Sequence, residues 1–165
     1  MTDSLRALDF YQIDAFATRV FEGNPAAVVL LDAWPDDATL AAIAAEHNLA
    51  ETAFVVPTPD DPDHDFHIRW FTPTVEVPLC GHATLASAFV IFNQLGFDGD
   101  RIRLQSQSGV LTARRDGDGI VLNFPKQPIK AEPVSRDVLD ALGGATPSET
   151  FGVVSRDTDI VVVFD

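Results

Sequence analysis

The sequence has little that would crosslink the chain or bind it to a polyanion. It contains one cysteine, Cys80, so no disulfide can form within the chain. Its 11 Lys and Arg residues are outnumbered by 25 Asp and Glu residues, which gives a formal net charge of −14. Because the few basic residues are scattered, we expect neither a nucleic acid nor an anionic membrane surface as a partner.

Long apolar runs are also missing. Runs such as residues 26–31 and 160–164 are far shorter than the roughly 20 residues needed to cross a bilayer. The N-terminus lacks a basic segment followed by an apolar stretch, so we expect no secretory signal. Together with the single thiol, these absences predict a cytoplasmic location.

The hydrophobic fraction of 46% is typical of a chain that buries a core. The apolar patterning predicts an α+β fold with several strands around one buried helix that is apolar on almost all sides, which we place at residues 83–95. A second helix should begin after Pro35 and end near His47. Strands are predicted at residues 8–17, 26–31, 52–56, 65–71, 101–107, 110–115 and 120–124.

Three prolines, Pro125, Pro128 and Pro133, mark the expected domain boundary. We therefore expect a first lobe at residues 1–125, followed at 126–165 by a linker and the start of an incomplete second lobe. Beyond the boundary, the pattern predicts a short helix capped by Ser135 and strands at residues 150–154 and 159–164. So few elements rarely close a core of their own.

The first group of candidate site residues is Cys80-Gly81-His82, just before the buried helix. The first amides of a helix have no partner within it, so this segment could bind a carboxylate or stabilise an enolate. The same amides should lower the pKa of a thiol placed there. The alternative is that Cys80 is an inert small hydrophobe and His82 an ordinary core histidine.

Glu51 lies between the second helix and a buried strand, flanked by alanines. A carboxyl in a partly dry setting titrates nearer neutral pH, which suits general acid–base catalysis. Taken alone, its position favours an ordinary surface glutamate that closes a helix. Asn24, in Gly23-Asn24-Pro25, could present its amide to a substrate carboxylate, and ordinary turn chemistry explains it equally well.

Other chemistries lack their motifs. The four histidines and one cysteine form no His-x-x-x-His or Cys-x-x-Cys pair, so we expect no zinc site and no other bound metal. Glycine motifs for dinucleotides, for nucleotide phosphates and for an α/β-hydrolase nucleophile are absent as well.

Several short blocks, in order along most of residues 8–125, resemble the phenazine-biosynthesis PhzF-like isomerases, which share the fold of diaminopimelate epimerase. The order of the blocks makes the match far more specific than any one of them. They are Asp14–Ala17, Gly23–Val28, Asn48–Val55, Arg69–Pro73, Glu76–Leu85 and Ser108-Gly109.

The resemblance implies two pseudo-symmetric lobes, each a curved, mainly antiparallel sheet wrapped around a central helix, with a cofactor-free site in the cleft between them. It makes Glu51 the acid–base glutamate in the isomerisation of a small carboxylate substrate. It places Gly81 and His82 in contact with that substrate and Asn24 at its carboxylate. Cys80 matches a catalytic cysteine of the epimerases that some PhzF-like proteins replace by a small residue.

One expected motif of the second lobe, Asp-Pro-x-Thr-Gly-Ser, does not occur. We therefore expect the chain to need the rest of that lobe as a partner and to be inactive by itself, and we also expect a homodimer. The alternative function, from another class, is a non-catalytic binding or interaction module that uses an exposed apolar cleft wall.

Overall fold

The computed structural model describes residues 7–154 and 156–165. These residues fall into two units, one ending at Phe124 and the other beginning at Pro125. All five candidate site residues belong to the first unit.

The first unit has eight strands and two helices among the residues described. In chain order they are β1 (Asp9–Ala15), β2 (Asn24–Leu30), α1 (Asp37–His47), β3 (Glu51–Pro57), β4 (Phe66–Phe71), β5 (Glu76–Val77), α2 (Gly81–Asn93), β6 (Arg101–Ser106), β7 (Gly109–Asp116) and β8 (Gly119–Asn123). The sequence predicts each of these except β5. With only two residues, β5 is too short to show an alternating pattern.

The strands of this unit form one sheet in the order β1-β2-β3-β4-β6-β7-β8, with β5 attached to β4. Five neighbouring pairs are antiparallel, and two, β2/β3 and β4/β6, are parallel. Parallel neighbours need a crossover connection, which α1 provides for the first pair and α2 for the second. The predicted α+β architecture, a mainly antiparallel curled sheet around a buried helix, is confirmed.

Helix α2 forms the centre of the larger core. Its alanines and its C-terminal Val90, Ile91 and Phe92 are buried against β2, β3, β4, β6 and β7. Thr84 and Ser87 are buried too, but their hydroxyls donate to the carbonyls of Cys80 and Ala83 in the preceding turn, so neither is left unsatisfied. The helix ends at Asn93, two residues before the predicted end.

Strands β2 and β3 are buried on both faces, as their continuous apolar runs predict. Alternate residues of each strand face α2, whereas Val29 and Phe54 face the opposite side of the sheet. There α1 packs with Leu40 and Ala44 and forms a second, smaller core. None of the helices among the described residues is both long enough and apolar enough to cross a membrane.

The second unit contains β9 (Ile129–Ala131), α3 (Arg136–Ala141), β10 (Glu149–Val153) and β11 (Arg156–Val163). Its strands form an antiparallel sheet in the order β11-β10-β9. Ser135 caps α3 by accepting a hydrogen bond from the Val138 amide, as predicted. The sequence analysis missed β9, because its three residues are all exposed and give no apolar alternation.

Candidate active site

Glu51 lies where α1 gives way to β3. Helix α1 ends because Asn48 adopts a left-handed conformation with φ 49° and directs its amide back to the Ala44 carbonyl. The His47 ring then lies 3.1 Å from the Thr52 hydroxyl and stacks on Phe10. These contacts on both sides of the junction hold the backbone that presents the Glu51 carboxylate, whose side chain is 21% exposed.

Cys80 and His82 flank the first residue of α2. Cys80 occupies the N-cap position in an extended conformation and is buried. The segment before it is anchored to the turn between β6 and β7, because the Ser108 hydroxyl donates to the Pro78 carbonyl at 2.9 Å. The sequence analysis did not assign this positioning role to Ser108, although the resemblance had already singled out Ser108-Gly109.

The fold brings Glu51, Cys80 and His82 together. Glu51 Oε2 lies 3.4 Å from His82 Nε2, and Cys80 Sγ lies 3.4 Å from His82 Nδ1. One potential ligand atom from each of the three residues lies within 4.8 Å of the others. The predicted proximity of Cys80 and Glu51, which are far apart in the sequence, is therefore confirmed. Their chemical roles stay predictions.

The electrostatics of Cys80 correct one expectation. The pKa of the Cys80 thiol is raised to about 11, mainly by burial and in smaller part by the neighbouring Glu51 carboxylate, although the backbone amides of Ala83 and His82 act to lower it. The sequence analysis anticipated only the helix amides. Desolvation of a thiolate outweighs them, so Cys80 is a protonated thiol at neutral pH.

His82 has an unsatisfied atom in this cluster. Its Nε2 is buried and, although it lies 3.4 Å from Glu51 Oε2, it forms no hydrogen bond with any described residue. A buried polar atom without a partner costs about 1–3 kcal/mol. Such an atom beside a carboxylate is available to a bound ligand.

Asn24 and Gly81 complete the set of candidates. Asn24 is the exposed first residue of β2. Because β2 and β3 are parallel and Ala26 pairs with Glu51, Asn24 and Glu51 lie near the same ends of adjacent strands. At Gly81, an added Cβ would meet only the Phe124 ring, at an ordinary contact distance of 3.9 Å. Packing within the unit therefore does not require glycine at position 81.

A separate apolar groove of about 350 Å³ runs along α2. Phe16, Leu85 and Phe89 contribute to its lining, and Phe16 is 71% exposed. Its lining, within the part of the chain described, includes none of the five candidate residues. The groove and the Glu51 cluster are thus distinct features of the first unit.

A second charged cluster lies around Arg69 on β4. The Arg69 guanidinium donates two hydrogen bonds of 2.7 Å to the Glu76 carboxylate and pairs with Asp37 at 2.9 Å. It also lies over the rings of Trp34 and Phe71, 5.4 and 5.1 Å from their centroids. Hydrogen bonding to Glu76 raises the pKa of Arg69. This cluster joins α1, β4 and β5.

Comparison with known proteins gives consistent results. The family model described as phenazine biosynthesis-like protein matches residues 13–159. An uncharacterized isomerase of Pseudomonas aeruginosa is 48% identical over 160 residues, which cover 96% of this chain and 58% of that protein. A phenazine biosynthesis-like domain-containing protein of Mus musculus is 49% identical over 125 residues, 73% of this chain and 43% of that protein. The chain thus spans about half the length of these relatives.

Solved structures show the same fold. The crystal structure of a PhzF-family phenazine biosynthesis protein from Enterococcus faecalis matches 96% of this chain and 57% of that one, with a TM-score of 0.79 and 38% identity. A hydroxyproline epimerase from Agrobacterium vitis matches 76% of this chain and 45% of that one, with a TM-score of 0.55 and 10% identity. The second likeness concerns the fold alone, and it confirms the predicted epimerase-like class.

Proposed function

The chain belongs to the phenazine biosynthesis-like protein family. We therefore propose that it provides the acid–base residues on one side of the active-site cleft of a cofactor-independent isomerase, which moves a proton on a small carboxylate substrate. The observation that best supports this proposal is the Glu51 carboxylate, half-buried and 3.4 Å from an unsatisfied nitrogen of His82. The isomerase and epimerase names of the similar proteins agree with this class of reaction.

In the proposed reaction, Glu51 removes a proton from a carbon of the substrate and returns it at another carbon. The C–H electron pair stays on the substrate as an enolate-type anion, and the double bond shifts when the proton is returned, so no electrons enter or leave. His82 would contact the substrate beside the Glu51 carboxylate through its Nε2, which has no hydrogen-bond partner among the described residues. The amides at the start of α2 would stabilise the anion, with Gly81 leaving room for close approach.

We further propose that the chain is inactive by itself. It covers 58% and 55% of the length of the two Pseudomonas aeruginosa relatives, and it lacks the Asp-Pro-x-Thr-Gly-Ser string that the resemblance implies. A site with one wall leaves its substrate poorly oriented and in contact with water, and a small misplacement alone can cost about 100-fold in rate.

A completed protein tests both proposals. The 165-residue chain would be compared with a fusion in which it is followed by the part of the Pseudomonas aeruginosa relative that lies beyond the matched segment. Each is incubated in D₂O with a panel of small carboxylic acids, and deuterium incorporation into carbon positions is followed by NMR and mass spectrometry. We expect exchange with the fusion only, and its loss in the Glu51→Gln fusion.

Thermal melting of each protein provides the control for folding. A cooperatively folded fusion that exchanges no acid in the panel would count against the isomerase and favour the alternative binding module. Exchange that survives Glu51→Gln would remove Glu51 from the mechanism. Exchange by the chain alone would show that the second lobe is dispensable.

A further inference from the structure

We propose that Glu51, Cys80 and His82 form a binding site for a zinc-class divalent metal ion. The three residues offer a carboxylate oxygen, a sulfur and an imidazole nitrogen that lie within 4.8 Å of one another. The sequence analysis expected no zinc site because it looked for two ligands close together in the chain. Here one ligand comes from the start of β3 and two from the start of α2.

The separations suit a small tetrahedral site. Zinc bonds of about 2.0–2.3 Å place neighbouring ligand atoms roughly 3.3–3.8 Å apart. Glu51 Oε2 and His82 Nε2 are already 3.4 Å apart. The widest separation in the cluster, 4.8 Å or less, needs to shrink by only about 1 Å, which side-chain rotation can provide.

The donor set selects the type of ion. Magnesium and calcium prefer sites made only of oxygen atoms, whereas sulfur and imidazole favour zinc and its neighbours among the transition metals. The buried Nε2 of His82 has no hydrogen-bond partner among the described residues and lies beside the Glu51 carboxylate, so it provides a ligand atom. Cys80 Sγ contacts the other ring nitrogen, Nδ1, so the thiol has to rotate toward Nε2 when the ion binds. Three protein ligands leave a fourth position for water or an anion.

Charge balance allows a dication at this place. A helix N-terminus by itself disfavours a cation, because its amides form the positive end of the helix dipole. Cys80, however, would bind as a thiolate and release its proton. Thiolate and carboxylate together offset the two positive charges. In the metal-free chain burial disfavours the thiolate more than the amides of Ala83 and His82 favour it, and the charge of the bound dication would offset that desolvation.

An ion bound here would occupy the carboxylate that the proposed proton transfer needs. It would therefore inhibit the isomerase rather than serve it. This consequence rests on the proposed function. The binding itself does not, because it depends only on the three side chains and can be measured with the chain alone.

The test is a titration of the reduced 165-residue chain with Co²⁺, followed by displacement with Zn²⁺ in the presence of a chromophoric chelator. We expect one ion per chain, a thiolate-to-cobalt charge-transfer band in the near ultraviolet, and a Zn²⁺ Kd of roughly 1 μM or tighter. Cys80→Ser should abolish the band. Glu51→Gln and His82→Gln should each weaken Zn²⁺ binding by at least about tenfold.

Matched controls are Glu46→Gln, an exposed glutamate on α1, and His64→Gln in the loop before β4. Both should bind Zn²⁺ like the wild type. Circular dichroism checks that each variant is folded, and if a site variant is not, the wild-type spectrum and stoichiometry decide. No binding at about 100 μM ion, binding without the thiolate band, one ion per two chains, or equal affinity in site and control variants would each overturn the proposal.

Discussion

Two charged clusters of the first unit differ in how fully their polar atoms are satisfied. In the Arg69 cluster, formed by Arg69, Glu76, Asp37 and Trp34, the guanidinium makes hydrogen bonds of 2.7 Å and lies over aromatic rings. In the site cluster, formed by Glu51, Cys80 and His82, the contacts of His82 with Glu51 and with Cys80 are both 3.4 Å, and His82 Nε2 has no hydrogen-bond partner among the described residues.

Burial does not explain the difference. The side chains of Arg69 and Glu76 are 16% and 21% exposed, and those of His82 and Glu51 are 11% and 21% exposed. What differs is geometry, since a two-pronged guanidinium fits a carboxylate and a single imidazole does not. A satisfied cluster stabilises the fold, whereas an unsatisfied one has hydrogen-bonding capacity left for a ligand. The comparison therefore predicts that the two clusters respond oppositely to mutation.

The largest expected effect separates Glu51 from Glu76. In the completed protein, Glu51→Gln should lower the rate of deuterium exchange by about 10²–10⁴-fold, because it removes the group that transfers the proton, and should leave the free energy of unfolding nearly unchanged. Glu76→Gln should do the reverse. Exchange rates and urea unfolding of both variants make the test, and the distinction between the clusters fails if the two variants behave alike.

A smaller effect concerns the reactivity of Cys80. With the thiol pKa raised to about 11 by burial, iodoacetamide should modify the folded chain about 100-fold more slowly at neutral pH than the unfolded chain, whose thiol has the ordinary pKa near 8.5. The rate should keep rising with pH well beyond 9. A plateau below that pH would contradict the raised pKa.

Glu51→Gln sharpens this measurement. Since the Glu51 carboxylate contributes to the raised thiol pKa, its replacement should move the pH profile of alkylation to lower pH. Glu46→Gln, on the exposed side of α1, should leave the profile in place.

Breaking the satisfied cluster should cost stability. Arg69→Ala leaves the Glu76 carboxylate partly buried without its partner, so we expect the free energy of unfolding to fall by about 2 kcal/mol, less than for a fully buried pair. A double-mutant cycle with Glu76→Ala isolates the coupling between the two residues. A coupling energy near zero would show that this pair is no stronger than an exposed one.

The smallest effect is expected at another ion pair, Asp65 with Arg103. It tests whether an ion pair outside the two clusters also contributes to stability. The Arg103 guanidinium beside Asp65 holds the pKa of that carboxyl below its usual range. Asp65 should therefore add stability above the ordinary Asp pKa of about 3.9 and lose it as the pH falls through the lowered folded pKa. Asp65→Asn should be less stable than the wild type at neutral pH and equally stable in acid, as measured by urea unfolding. A constant difference would contradict the pairing.

Much of this molecule follows from the order of residues along the chain. Apolar runs in β2 and β3, alternation in β4 and the all-apolar face of α2 determine the elements because each pattern matches one backbone geometry. Elements too short or too exposed to have a pattern, β5 and β9, were missed for the same reason. The order of the motifs around Glu51 and His82 also indicated the correct family.

Tertiary structure alone decided how the chemical groups meet. That His82 approaches Glu51 on one side and Cys80 on the other depends on the parallel pairing of β2 with β3 and on the depth at which α2 lies against the sheet. The shift of the thiol pKa is upward, rather than downward as expected from the sequence, for the same reason. A helix N-terminus is a local feature visible in the sequence, whereas desolvation depends on everything packed around the sulfur. Likewise, polar atoms from separate elements form a cluster that no spacing along the chain could reveal.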